Sequence, residues 1–377
     1  MRIAVDAFPL VTPRTGFGQW VHHLAREWSG ERSQELYLFN TKKRRIDGYP
    51  GAVFNTRYPT ILDRSSIFWM TVRGRAELSD CRPDVFWGSQ GFLPLRMPEE
   101  VAKVITVHDA VYYACPETMS GITHFTYQTF LEQSIRKADA VVTVSRTMKE
   151  QLEGIFLKRE IRRELDVVYP GVDDAFRFTE KSLARECIAG TYRITRPYLL
   201  FVGTCEPRKN LVGLIRAFRI FLERNPSDHQ LLIVGAKGWK DAPIYAEVKR
   251  QGAEDRVRFL GYVPQKDLPA FYSAADAFVF VPFYEGFGIP NLEAMACGVP
   301  IIASDIPVFR EVLNDAAFFV RPEDPRDIAD GIQAVLLNTG LRNDLVRRGA
   351  IRARAFSWPR SSEAMLDVFR RVLKSRA

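Results

Sequence analysis

The chain has 377 residues, room for two domains of about 150 residues each, and 46% of them are hydrophobic, enough for two packed cores. A formal net charge of +8 favours anionic partners such as phosphorylated ligands or acidic lipid headgroups. With no dense basic tail, nucleic acid is not expected as a partner. The cysteines Cys81, Cys115, Cys187, Cys205 and Cys297 form no C-x-x-C pair, which argues against a disulfide framework or a zinc site and fits the reducing cytoplasm.

The chain opens with MRIAVDAFPL, a buried-strand pattern without the apolar core of a signal peptide. No apolar run reaches the ~18 residues needed to span a bilayer, so the protein is expected to be soluble or to lie on a membrane surface. RIAVDA (2–7) reads as a strand and GQWVHHLAREW (18–28) as an amphipathic helix. KVITVHD (103–109) and AVVTVS (140–145) are further strands, the second followed by the helical RTMKEQLEGIF. A second series starts after VVYPGVDDAF (167–176): YLLFVG (198–203), HQLLIVG (229–235), VRFLGYV (257–263), AFVFVPF (277–283) and PIIAS (300–304). Strands alternating with helices imply parallel sheets, and Tyr169-Pro170-Gly171 carries turn chemistry between the two series. The expected fold class is therefore α/β: two doubly wound, Rossmann-like domains, 1–172 and 173–357, facing each other across a cleft. Their ligands should sit beyond the carboxyl ends of the strands.

Candidate site residues cluster at those ends. In EGFGIPNLEAMACGVP, Glu285 ends the strand AFVFVPF, and Pro290 suits the first turn of a helix that stops at Gly298. Glu293 falls near the helix start, where the macrodipole favours an anion; a helix-terminal charge and a ligand grip are both open readings. A carboxylate at Glu285, between an apolar strand and a Gly-x-Gly turn, is costly without a partner. Gly286 and Gly288 let backbone N–H groups approach a ligand, and the helix start points more of them at the same place, which suits a phosphate. After YLLFVG comes Thr204-Cys205-Glu206-Pro207-Arg208-Lys209-Asn210, whose adjacent cations Arg208 and Lys209 can neutralise a diphosphate. There is no D-x-D triplet and no His/Asp cluster with metal spacing, so the expectation is a site without metal or resident cofactor. Asp173-Asp174 reads as linker polarity. His108, at the end of KVITVHD, can bond a polar ligand or take a proton, or can be structural. Thr15-Gly16-Phe17-Gly18-Gln19 reads as a glycine turn before the first helix, and His22 and His23 look structural. The basic clusters Lys42-Lys43-Arg44-Arg45 and Lys158-Arg159 with Arg162-Arg163 fit a solvated face or an anionic membrane surface. Ile67-Phe68-Trp69-Met70, near Arg64 and Arg73, fits a membrane contact or the core equally well.

These motifs together resemble the retaining GT-B glycosyltransferases of family 4, over nearly the whole chain: VDAFPLVTPRTGFGQWVHHLA, TVHD, VVTVS, VVYPGVD, FVGTCEPRKNLVGLIRAF, FLGYV and EGFGIPNLEAMACGVPIIASDIPVFREV. The resemblance implies transfer of a sugar from a nucleotide diphosphate donor. It makes Glu285 the grip on the donor sugar, with the backbone at Gly286, Phe287, Gly288 and Ile289, and Glu293 the contact to the ribose. It makes Arg208 and Lys209 the diphosphate clamp, acting on charge that grows as the bond breaks. Gly16 and Gly18 become the loop over the phosphates, His108 the histidine beside the transferred sugar, and Tyr262-Val263 the edge for the base. Gln19 departs from the arginine of many relatives, and the helix at about 358–377 is expected to pack back on the first domain.

Paired acids also invite a glycosidase reading. A glycosidase has no need of a diphosphate grip, and the family's same-face mechanism needs no protein nucleophile. A non-catalytic nucleotide-sugar-binding protein is the reading from another class; damaged motifs would favour it, and none is visible. By resemblance to bacterial mannosyl and rhamnosyl transferases of surface polysaccharide assembly, the donor expected first is a GDP-linked mannose or related deoxyhexose, with a UDP-sugar second. The acceptor expected is a saccharide or a lipid-linked saccharide.

Overall fold

The computed structural model describes residues 1–11, 16–30, 33–39, 48–55, 69–119, 121–161 and 163–377. Thr15, the basic run 42–45, Arg64, Ile67, Phe68 and Arg162 lie outside the described residues. Two compact units form. The first holds Met1–Ala114, Gly121–Pro170 and Trp358–Ala377; the second holds Gly171–Ser357 together with Cys115–Ser120, a segment that the sequence places in the first domain.

Unit 1 is built on β1 (Arg2–Asp6), β2 (Glu35–Phe39), β3 (Val53–Asn55), β4 (Val85–Gly88), β5 (Ala102–Val107), β6 (Ala140–Thr143) and β7 (Leu165–Val167). They form one parallel sheet in the order β3-β2-β1-β4-β5-β6-β7. Ile3 of β1 pairs with Leu36 on one side and Val85 on the other, so the chain reverses its direction of travel across the sheet between β1 and β4. The strands are runs such as VFWG and AVVT, buried at every position, as expected of a parallel sheet covered on both faces. Helix α1 (Gly16–Ser29) buries every residue from Gly18 to Ala25.

Unit 2 repeats the plan with β8 (Tyr198–Val202), β9 (Gln230–Val234), β10 (Val257–Gly261), β11 (Ala277–Phe280), β12 (Ile301–Ser304) and β13 (Ala317–Val320), in the order β10-β9-β8-β11-β12-β13. Here the reversal lies between β8 and β11, where Leu199 pairs with both Leu231 and Ala277. Among its helices are α2 (Leu211–Arg224), α3 (Leu268–Ala274) and α4 (Ile289–Ala296). Beyond β9 the backbone comes so close to that beyond β8 that a Cβ on Gly235 would lie 2.0 Å from the Gly203 carbonyl oxygen. Only glycine fits there.

The last helix, α5 (Trp358–Arg376), belongs to unit 1. Its buried positions Trp358, Ser361, Ser362, Met365, Leu366, Val368, Phe369 and Val372 recur at helical spacing and make one stripe. That stripe meets α1: the Trp358 ring stacks on His23 at 4.4 Å between centroids, and Phe369 lies 5.6 Å from Trp28. His22 bonds the Tyr49 hydroxyl at 2.5 Å, so both histidines are core residues. Trp69 and Met70 are buried too, with the Trp69 indole N–H donating to Glu77 at 3.0 Å, which resolves that part of the apolar run as core. Among the described residues, no helix is long and apolar enough to cross a membrane.

Candidate active site

In an open parallel sheet, ligands gather where the strand order reverses, because the loops on either side diverge and leave a crevice. In unit 2 that place lies beyond β8 and β11, and both motif stretches emerge there.

The loop after β8 is shaped by Pro207, which fixes φ at the start of a 3₁₀ turn (Pro207–Lys209), and by Asn210, which leaves it in the left-handed region at φ 55°. The Asn210 amide donates to the Val281 carbonyl at 3.0 Å and the Pro322 carbonyl at 2.7 Å. Phe283 N–H donates to the Arg208 carbonyl at 3.0 Å, and Arg208 Nη1 to the Tyr284 carbonyl at 2.8 Å. These four bonds tie the loop after β8 to the loops after β11 and β13, and so fix where the cations stand.

The cations do not stand alone. Arg208 reaches Glu206 at 2.6 Å and Glu285 at 3.1 Å, and Lys209 bonds the other Glu285 oxygen. The side chains are nearly shut off from water, at 13% exposure for Arg208 and Lys209, 10% for Glu285 and 4% for Glu206. Burial pushes the Glu285 carboxyl up, but the Arg208 and Lys209 charges and hydrogen bonds outweigh it and hold the group below the ordinary carboxylate range. The partner that a buried Glu285 requires is thus the cation pair itself. Glu285 and Lys209 stand 76 residues apart in the chain, and the fold joins them with Arg208 in one ion cluster.

From Glu285 the chain runs through Gly286, buried Phe287 and Gly288 into α4. Gly288 adopts φ +92°, and a Cβ there would lie 2.7 Å from the Phe309 ring, so the turn needs glycine. Ile289 opens α4, with Pro290 in its first turn. Glu293 lies in the second turn, not the first, and is 7% exposed. Its Oε2 accepts from the Tyr272 hydroxyl of α3 at 2.7 Å. Burial raises its pKa to about 7; hydrogen bonds from Tyr272 and Gln265 oppose the shift and the charge of Asp173 adds to it. The expected helix-start anion is therefore a buried acid whose pKa is raised toward neutrality. Val263 is buried at the carboxyl end of the edge strand β10, beside exposed Tyr262.

In unit 1 the corresponding reversal, beyond β1 and β4, carries Asp6, Ser89 and Gln90. Ser89 Oγ donates to the Asp6 carbonyl at 2.6 Å, and Gln90 Nε2 to the Asp6 carboxyl at 2.8 Å. His108, just after β5, is half-buried and its Nε2 lies 2.8 Å from the Ser89 carbonyl oxygen. A carbonyl only accepts, so the hydrogen sits on Nε2. Burial lowers the His108 pKa against the opposing effects of the Ser89 bond and Asp109, leaving a neutral ring with Nδ1 as an acceptor. Phe17 and Trp20 of α1 flank it, with ring centroids at 5.9 and 6.1 Å. Gly16 and Gly18 lie in the first turn of α1, whereas a glycine turn preceding the helix was expected. Of the second basic cluster, Arg159 pairs with Glu132 at 2.8 Å and covers the Tyr113 ring at 5.1 Å.

Models of glycosyltransferase family 4 and of glycosyl transferases group 1 match residues 15–176 and 191–352, so together they span most of the chain. The chain belongs to the family 4 glycosyltransferases. This glycosyltransferase is 29% identical to O-antigen chain mannosyltransferase B of Escherichia coli over 389 residues, 98% of this chain and 100% of that one. Its structure matches sucrose-phosphate synthase of Thermosynechococcus elongatus with a TM-score of 0.79, at 20% identity and over 100% of both chains. It also matches HepE of Anabaena, solved in complex with UDP-glucose, with a TM-score of 0.74 at 18% identity over 98% of this chain and 99% of that one. The fold is GT-B. The contacts that Tyr272, Gln265 and Asn210 make around these residues were not read from the sequence. Asn210 adjoins the cation pair, but the carbonyls it bonds are 71 and 112 residues away.

Proposed function

We propose that this glycosyltransferase moves mannose or a related deoxyhexose from a GDP-sugar onto a saccharide or lipid-linked saccharide in surface polysaccharide or lipopolysaccharide assembly, with retention of configuration and without a metal or resident cofactor. The observation that carries the reading is the ion cluster of Arg208, Lys209 and Glu285 at the crevice between β8 and β11. Arg208 and Lys209 hold the diphosphate, and Glu285 receives the sugar hydroxyls beside them. Gly286, Phe287, Gly288 and Ile289 present backbone to the same ligand. Glu293 takes the ribose and Val263 the base. In unit 1, Gly16 and Gly18 serve the phosphates and His108 the transferred sugar. The anomeric carbon–oxygen bond to the phosphate breaks as the acceptor oxygen bonds the same face, and the acceptor's proton passes to the departing phosphate oxygen. The Escherichia coli relative, aligned over its whole length, supports mannose and a polysaccharide product. Cytoplasmic location, with peripheral contact of the basic first half on an anionic membrane, completes the proposal.

A thermal-shift panel of GDP, UDP, ADP and their sugars tests it. A ligand at one hundred times its dissociation constant adds about 2.7 kcal/mol of stability. The expected result is a shift with GDP and GDP-mannose. A shift with UDP compounds alone replaces the donor by a UDP-sugar, and no shift with any of them overturns the transferase reading.

A further inference from the structure

Glu293 of α4 meets Tyr272 of α3, and the contact is unusually closed. The Tyr272 ring is fully buried and fixed from two sides, by Phe176 at 5.9 Å and Phe278 at 5.3 Å between centroids, both edge-on. Its hydroxyl therefore has little freedom and is spent on Glu293 Oε2 at 2.7 Å. The other groups around the carboxyl are Gln265, which hydrogen-bonds it, and two titratable ones, Asp173 and the Cys297 thiol. Burial pushes that thiol up to about 12, so it stays neutral, and Asp173 adds only like charge.

We propose that Tyr272 is a positioning residue for nucleotide recognition: its hydroxyl holds the Glu293 carboxylate in the orientation that receives the ribose hydroxyls of a nucleoside diphosphate. The proposal rests on the assignment of Glu293 to the ribose. A carboxylate accepts two hydroxyl hydrogens side by side; a protonated acid turns one of its oxygens into a donor and accepts poorly there. The Tyr272 bond favours the carboxylate, whereas burial and Asp173 oppose it. Loss of one hydrogen bond to a charged group moves a carboxyl upward by roughly one pH unit. Tyr272 thus sets the pH above which the ribose is held.

The test is calorimetric titration of GDP, UDP and their 2′,3′-dideoxy forms between pH 6 and 9 into wild type, Tyr272→Phe, Glu293→Gln and Ser273→Ala. Ser273, whose hydroxyl bonds the Cys297 carbonyl at 3.4 Å, loses a buried hydroxyl on the same helix without touching Glu293. In wild type, affinity rises with pH and levels off above about pH 8. Tyr272→Phe is expected to bind about fivefold more weakly at pH 7 and to converge on wild type near pH 9, with Ser273→Ala unchanged and the dideoxy forms indifferent to Tyr272→Phe. If Tyr272→Phe follows the wild-type pH profile while Glu293→Gln and the dideoxy forms lose affinity, the positioning role falls and the ribose assignment stands. Should neither Glu293→Gln nor the dideoxy forms lose affinity, or no nucleoside diphosphate bind at all, the ribose assignment itself fails.

Discussion

Replacing Glu285 by alanine separates the two roles proposed for the ion cluster. In the free protein Glu285 is the counter-ion of both Arg208 and Lys209, so a diphosphate must share or displace it. Removing one partner of a buried pair costs about 3–5 kcal/mol, and the low end applies here because Arg208 keeps Glu206. For a unit of this size, about 3 kcal/mol lowers the melting temperature by roughly 6–12 °C. A diphosphate then meets two cations with only one internal anion, so it should bind Glu285→Ala more tightly than wild type even as sugar transfer is lost. The assay is thermal melting with and without GDP and UDP, alongside turnover. Expected are a lower melting point without ligand and a nucleotide shift larger than that of wild type. A wild-type melting point combined with weaker nucleotide binding refutes the counter-ion argument, and undiminished transfer refutes the sugar grip.

Arg208→Ala should weaken nucleoside diphosphate about 10- to 100-fold but nucleoside monophosphate less than threefold by calorimetry; equal losses would mean a purely structural arginine. Asn210→Ala leaves the Val281 and Pro322 carbonyls without their amide donor, which is expected to cost about 2–3 kcal/mol in denaturant melts. The pKa of Glu293 is raised in the folded state, to about 7 from 4.5, so its contribution to stability is complete below pH 4.5 and is lost as pH rises toward and through 7. Glu293→Gln removes that dependence: relative to wild type it should gain up to about 3 kcal/mol between pH 4.5 and 7.5, read from melts across pH. Phe369→Ala, at the α1–α5 contact, should destabilise unit 1 by about 3–5 kcal/mol.

The alternation of elements and the two reversing sheets were legible because fully buried strands such as YLLFV and AFVF are apolar throughout and bounded by glycine, proline or polar residues. The strands β2, β3, β4, β7 and β13 were not anticipated; in β2 (ELYLF) and β7 (LDV) a charged residue interrupts the apolar run by which the others are read. The candidates Arg208, Lys209, Glu285, His108 and Val263 lie beyond strand ends, as expected, whereas Glu293 lies a turn further into α4. What local sequence does not carry is which strand ends adjoin. Lys209 and Glu285 are 76 residues apart, and only the pairing of β8 with β11 makes them ion partners. Glu293 and Tyr272, 21 residues apart on different helices, illustrate the same limit. The raised pKa of Glu293 was likewise missed, because burial cannot be read from position along the helix alone.

The bond from His108 to the Ser89 carbonyl also decides what this histidine accepts as company. With its one hydrogen committed to the backbone and its charge suppressed, the ring meets any incoming group with a lone pair. A hydroxyl can turn its hydrogen toward Nδ1 and be held. A fluorine or methoxy group at the same place sets lone pair against lone pair and loses the bond. The Ser89 carbonyl beyond a neighbouring strand thereby leaves Nδ1 of His108 as an acceptor only.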